Sequence, residues 1–140
     1  MMKRTLALAA VLLVLGAVPA AAQLTRFTGN WVNVNSGTSG IVRLRIAAAG
    51  TAVTVRAFGA CTPTPCDWGT QPGIAYGPSV GSNPVGTARA VTVRFQTGFS
   101  ETILVLRPVG TNRLEVFRFT RFTDSSGRFP FTATEVVQRS

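Results

Sequence analysis

Apolar and polar residues alternate over short segments along most of the chain. In Ile41–Ala48, Val42, Leu44 and Ile46 alternate with arginines, and Ala52–Phe58 repeats the pattern. A period of two residues predicts strands with one buried and one solvated face. No segment shows apolar residues spaced three and four apart over a helical length, so the sequence predicts an all-β fold.

Turns rich in Gly, Asn and Ser separate most of the predicted strands. These lie at Phe27–Val34, Ile41–Ala48, Ala52–Phe58, Ala88–Thr97, Glu101–Arg107, Arg113–Thr123 and Phe129–Arg139. Short turns favour antiparallel pairing of consecutive strands, and an up-and-down meander of seven to eight strands can close into a barrel. A β-sandwich is the alternative.

Two segments depart from simple alternation. Gly59–Thr87 is rich in Pro and Gly, and we expect an irregular loop there with at most a short strand at Ile74–Tyr76. The strand Glu101–Arg107 is apolar on both faces, at Ile103 to Leu106, which is typical of a central strand.

The first 22 residues have the pattern of a secretory signal peptide. Lys3 and Arg4 precede an apolar run of 13 residues, Leu6–Val18, and Ala20–Ala22 supplies small residues for cleavage before Gln23. The run is too short to span a bilayer as a helix. We therefore expect a secreted or periplasmic protein with one β domain, residues 23–140, and no transmembrane segment in its mature form.

The inventory of reactive side chains argues against catalysis. The chain has no His, two Cys and five carboxylates, which excludes a Ser-His-Asp triad, a Cys-His dyad and an ordinary zinc site. Three carboxylates, Glu101, Glu115 and Glu135, fall on different predicted strands, and nothing in the sequence pairs two acids as a glycosidase needs. We expect a non-enzymatic protein with no catalytic residues, no cofactor and no metal site.

Arginine dominates the charge of the mature chain. Residues 23–140 hold 12 arginines, no lysine and five carboxylates, a net charge of +7. Arg–Phe neighbours such as Arg94-Phe95 resemble single-strand nucleic-acid platforms, but adjacent strand residues point to opposite faces. Because export also removes most nucleic acid, we expect no nucleic-acid partner. The outward arginines instead suggest an alternative function, an envelope protein that binds anionic surface components.

The segment Cys61–Trp68 is the main candidate for ligand recognition. Export predicts a Cys61–Cys66 disulfide, and prolines stiffen the closed loop. We expect Trp68, Asp67 and Tyr76 to hold a small apolar or aromatic ligand at the barrel mouth. In the alternative, Trp68 folds back as a lid and Asp67 pairs with an arginine.

Gly29-Asn30-Trp31 resembles the Gly-x-Trp motif of the calycins, the group of lipocalin and avidin-like barrels. The resemblance implies that Trp31 plugs one end of the barrel and that an arginine from a late strand, Arg121 or Arg139, packs across it. It transfers no ligand-binding residue to this chain.

A second resemblance covers most of the mature chain. The Cys-x4-Cys-Asp-Trp-Gly motif at Cys61–Gly69, together with Trp31-Val-Asn33 and Asp124–Arg128, resembles small exported bacterial β proteins of unassigned activity. This resemblance implies a β fold and export but no mechanism.

Overall fold

A computed structural model describes residues 23–140, in which eight antiparallel strands close into a barrel. Each strand pairs with the next along the chain, and the last pairs with the first. The strands are β1 (Gly29–Asn33), β2 (Ile41–Ala49), β3 (Ala52–Gly59), β4 (Cys66–Tyr76), β5 (Ala90–Gln96), β6 (Ser100–Val109), β7 (Arg113–Phe122) and β8 (Phe131–Arg139). The predicted up-and-down barrel is confirmed, and the sandwich alternative is wrong.

In the part of the chain that the structure describes, two short helices accompany the barrel. A 3₁₀ helix, Gln23–Arg26, precedes β1, and α1, Pro84–Thr87, lies between β4 and β5. No helix in residues 23–140 is long and apolar enough to cross a membrane. The predicted signal peptide and its cleavage site fall outside the described residues.

The stretch Gly59–Thr87 is more regular than its composition suggests. It contains β4, a strand of 11 residues, where only Ile74–Tyr76 was expected. The part of β4 before Gly73 pairs with β3 alone, and Gly73–Tyr76 pairs with β5. Pro72 therefore lies where the strand has a free edge, which is where a sheet tolerates proline.

Alternate apolar residues of the strands fill the interior of the barrel. These inward side chains are at most 4% exposed and include Leu44, Ile46, Val55, Val91, Val93, Phe95, Leu104, Leu106, Leu114 and Val116. Leu24 and Phe27 add to this core from the segment before β1. The barrel interior is thus packed with side chains, as in small closed barrels.

The end of the barrel that carries the 3₁₀ helix, the closed end, is sealed by Trp31. Trp31 is 1% exposed, and its Nε1 donates to the carbonyl of Phe27 at 2.9 Å. The Arg139 guanidinium lies 4.4 Å from the centroid of the Trp31 ring and donates to the backbone carbonyls of Thr28 and, at 3.0 Å, Arg26.

Arg139 thus occupies the position over the tryptophan that the calycin resemblance implies. Arg121 does not, because it projects outward near the opposite end of the barrel, where it pairs with Glu101 at 2.8 Å. We call that opposite end the open end; it carries loops 34–40, 60–65, 97–99 and 123–130.

Candidate functional site

Trp68 lies inside the barrel at the open end. Cys61 and Cys66 form the predicted disulfide at the start of β4. The Trp68 ring packs against the apolar core and meets Phe95 edge to face, with ring centroids 5.8 Å apart. Gly59 makes the space, because a Cβ there would come within 2.7 Å of Trp68 Nε1. This arrangement corresponds to the alternative in which Trp68 folds back as a lid.

Asp67 is engaged by its own chain. Arg56 Nε lies 3.2 Å from both carboxylate oxygens, Arg56 Nη2 also donates to Oδ2, and the Gly69 N–H donates to Oδ1 at 2.9 Å. The Arg56 hydrogen bond and then the Gly69 N–H lower the pKa of Asp67 to about 2, and Asp67 in turn raises the pKa of Arg56. Asp67 is therefore an anion whose two carboxylate oxygens already accept hydrogen bonds from Arg56 and Gly69.

Tyr76 lies far from both of these residues. It ends β4 on the outer face, is 46% exposed, and its hydroxyl accepts from Thr92 Oγ1 at 3.3 Å. At about 3.3 Å per residue, the eight residues from Trp68 to Tyr76 span roughly 25 Å. The structure does not bring Trp68, Asp67 and Tyr76 together as one site.

An apolar groove lies instead on the outer face of the barrel near the open end. Ile103 on β6 and Phe119 on β7 are direct cross-strand partners, and they are 40% and 48% exposed. Pro130, just before β8, and Phe131, its first residue, complete the apolar lining at the rim of the barrel. The groove has a volume of about 420 Å³, and its remaining lining residues are Glu101, Thr120, Arg121 and Thr132. We call it the β6–β8 groove.

The groove exists because β6 carries apolar residues at outward positions. Leu104 and Leu106 point into the core, whereas Ile103 and Val105 point outward. The sequence signal for the site was therefore the apolar run on both faces of Glu101–Arg107, which we interpreted as a mark of a central strand. In a closed barrel every strand has two neighbours, so a central position does not imply that the outer face is buried. The outward apolar side chains of β6 therefore remain on the surface.

Charged side chains border one side of the groove. Glu101 is 8% exposed and accepts from Arg94 at 2.7 Å and from Arg121 at 2.8 Å. The Arg121 hydrogen bond is the first cause, ahead of that from Arg94, of a lowered pKa for Glu101. Two guanidiniums held on one carboxylate leave a net charge of +1 beside the apolar wall.

The other open-end carboxylates also have arginine partners. Asp124 pairs with Arg128 at 2.9 Å, and Glu135 lies 3.6 Å from Arg118 while accepting from the Ile41 N–H at 3.0 Å. Within residues 23–140, no three His, Cys, Asp or Glu residues are grouped so as to hold a metal ion.

A cluster of arginines surrounds Phe58 on the outer face of β2 and β3. The guanidinium carbons of Arg43, Arg45 and Arg56 lie 4.6, 5.4 and 5.1 Å from the centroid of the Phe58 ring. Among residues 23–140, Asp67, bound to Arg56, is the one carboxylate in an ion pair with these arginines. We call these four residues the Phe58 cluster.

No protein-family model matches this chain, and a search of curated proteins returned no significant match. The function must therefore be inferred from the geometry of these sites.

Proposed function

We propose that this protein is an exported, non-enzymatic binding module that holds a small apolar or aromatic ligand in the β6–β8 groove. The observation that carries the proposal is the groove itself, about 420 Å³ in volume and lined by the outward side chains of Ile103 and Phe119, with Pro130 and Phe131 at its rim. Small-molecule sites typically have volumes of about 300–1,000 Å³, with apolar walls and a few polar groups that fix orientation. Glu101 and Arg121 are such polar groups here.

Packing inside the barrel favours this location over the one suggested by the sequence. The ligand was expected in the barrel mouth near Trp68, but Trp68 and Phe95 fill that space. On the outer face, by contrast, Ile103 and Phe119 remain partly exposed to water. An apolar ligand that covered them would remove this surface from solvent, which is favourable by roughly 25 cal/mol per Å².

Two further observations support export and a binding role. The Cys61–Cys66 disulfide is typical of proteins in an oxidising compartment. Four of the chain's five carboxylates are held by arginines, at Asp67, Glu101, Asp124 and Glu135, which argues for structural rather than acid–base roles.

The proposal can be tested with the neutral fluorescent probe N-phenyl-1-naphthylamine, whose emission rises in an apolar site. We expect saturable enhancement with the wild-type protein. Ile103→Asn and Phe119→Ser should each weaken binding about tenfold, because each replaces an apolar wall with a polar group. The neutral probe avoids a contribution from the protein's positive charge.

Ile74→Asn is the matched control, because Ile74 is an exposed strand residue on the outer face of β4 and does not line the groove. It should bind the probe like the wild type. The proposal fails if the wild type gives no saturable enhancement, or if the Ile74 variant loses as much affinity as the groove variants.

A second candidate function, binding of an anionic envelope component, is favoured by the Phe58 cluster. Its three guanidiniums and one carboxylate leave a charge of +2 on one patch. We expect retention on immobilised alginate, an acidic polysaccharide, that is lost at high salt because exposed charges are screened. Arg45→Gln should reduce retention more than Arg113→Gln, an exposed arginine outside the cluster. Equal losses would contradict this function.

A further inference from the structure

A second pocket lies at the closed end, far from the β6–β8 groove. It is formed where the 3₁₀ helix, the segment around α1 and the end of β6 meet, and its volume is about 480 Å³. Its lining residues are Gln23, Arg26, Pro78, Gly86, Thr87, Ala88, Arg89, Arg107 and Pro108. Three of these are arginines and none is a carboxylate.

Within residues 23–140, no carboxylate forms an ion pair with the arginines of this pocket, whereas arginines at the open end do form such pairs. Arg26 donates to Gln23 Oε1 at 3.1 Å and to the Gly110 carbonyl at 2.9 Å. Within residues 23–140, the side chains of Arg89 and Arg107 form no hydrogen bond and no ion pair within 4.0 Å. Glu115 faces Arg107 in the strand register, yet the two form no such pair.

Hydrogen bonds to the backbone fix the segment that carries Arg89. Asn83 caps α1, its Oδ1 accepting from the Val85 N–H at 3.0 Å, and Thr87 Oγ1 donates to the Asn83 carbonyl at 2.7 Å. The Arg89 N–H then donates to the Tyr76 carbonyl at 2.7 Å. The backbone of this segment is therefore held in place, which lowers the entropy lost when a ligand binds beside it.

We propose that this pocket binds a phosphate or sulfate group carried by a small organic molecule. Three like charges that share a pocket without a counter-ion repel each other, and a bound anion removes that repulsion. Each guanidinium offers a planar fork of N–H donors that matches the oxygens of phosphate or sulfate. Pro78 and Pro108 provide apolar walls for the organic part.

Isothermal titration of the full exported protein with inorganic phosphate and with phenyl phosphate tests this site. We expect saturable binding of both, tighter for the phenyl ester because of the apolar walls. Arg89→Gln and Arg107→Gln should each weaken binding about tenfold, because each removes a charged donor. Both side chains are exposed, so the variants should keep the wild-type melting temperature.

Arg113→Gln is the matched control: it removes the same charge from an exposed arginine near the closed end that does not line the pocket. It should leave phosphate binding unchanged. The absence of saturable binding to either anion would overturn the proposal, as would equal weakening by Arg113→Gln, which would indicate diffuse attraction to a basic protein.

A lipid headgroup and a free ester offer the same phosphate chemistry, and vesicles distinguish them. If vesicles containing phosphatidylglycerol bind the wild type but not Arg89→Gln, the site takes phosphate from a lipid. If phenyl phosphate binds and the vesicles do not, the site takes a free ester. The neutral probe of the β6–β8 groove should be unaffected by either arginine variant, so the two sites can fail independently.

Discussion

At the scale of single residues, Asp67 is the group whose ionisation is most altered by the fold. Arg56 and the Gly69 N–H both donate to it, and its pKa falls from 3.8 to about 2. Because the pKa of the folded state lies below that of the unfolded state, the ionised carboxylate stabilises the fold. This contribution is fully present above pH 3.8 and is lost as the pH falls through about 2.

The first prediction follows from that sign. Asp67→Asn should lower the melting temperature by a modest, constant amount at neutral pH, since exposed ion pairs contribute little. The difference from the wild type should shrink below pH 3.8 and be lost as the pH falls through about 2. Thermal melts from pH 2 to pH 8 measure it.

Arg56→Gln provides the control, because it removes the partner instead of the carboxyl. The double variant should lose less stability than the sum of the two single variants, because both substitutions break the same Arg56–Asp67 pair. A difference between wild type and Asp67→Asn that persists unchanged at pH 2 would show that the ion pair is not its cause.

At the scale of elements, β3 and β4 depend on the contact between Gly59 and Trp68. A Cβ at Gly59 would lie 2.7 to 2.9 Å from three atoms of the indole ring, and Phe95 packs edge to face against that ring. The ring therefore has little room to yield.

We predict that Gly59→Ala destabilises the barrel by about 1–3 kcal/mol, the typical cost of overpacking a core. Urea denaturation followed by tryptophan fluorescence measures the loss. Gly98→Ala is the matched control, since a Cβ there meets nothing within 4 Å. If both variants are equally stable, the Trp68 packing described above is incorrect.

The strand pattern could be predicted from sequence because alternation depends only on neighbouring residues. The length of β4 could not, since Pro72 and Gly73 favour a loop until β3 supplies a partner. The three-residue motif Gly29-Asn30-Trp31 predicts that Trp31 plugs the barrel. Which arginine packs on its ring, Arg139 or Arg121, depends on which strand end lies beside Trp31 in the closed barrel.

The two candidate sites differ in how far the sequence could predict them. The β6–β8 groove left a trace in the sequence, the apolar outward residues of β6. The arginines of the closed-end pocket left none, because Arg26 and Arg107 are 81 positions apart in the chain and meet only when the barrel closes.

At the scale of the whole molecule, the two ends of the barrel differ in charge pairing. Four of the chain's five carboxylates lie near the open end, each with an arginine, whereas the closed-end pocket has arginines and no carboxylate. The apolar groove and the anion pocket thus occupy opposite ends, and a ligand at one leaves the other accessible.

The proposed export concerns the whole chain, and intact mass tests it. We predict that the protein recovered from the periplasm or medium begins at Gln23 and contains 118 residues with one disulfide. Intact mass spectrometry, with and without reduction, measures both. Recovery of the uncleaved chain, or of a chain with two free thiols, would contradict export by a signal peptide into an oxidising compartment.

The central claim is that the ligand binds on the outer face of β6–β8 and not inside the barrel. The most direct test is a two-dimensional amide NMR titration of the full exported protein with N-phenyl-1-naphthylamine. We predict that the largest shifts fall on residues 101–103, 119–121 and 130–132. Shifts centred on Trp68 and Phe95, or no saturable shifts at all, would contradict it.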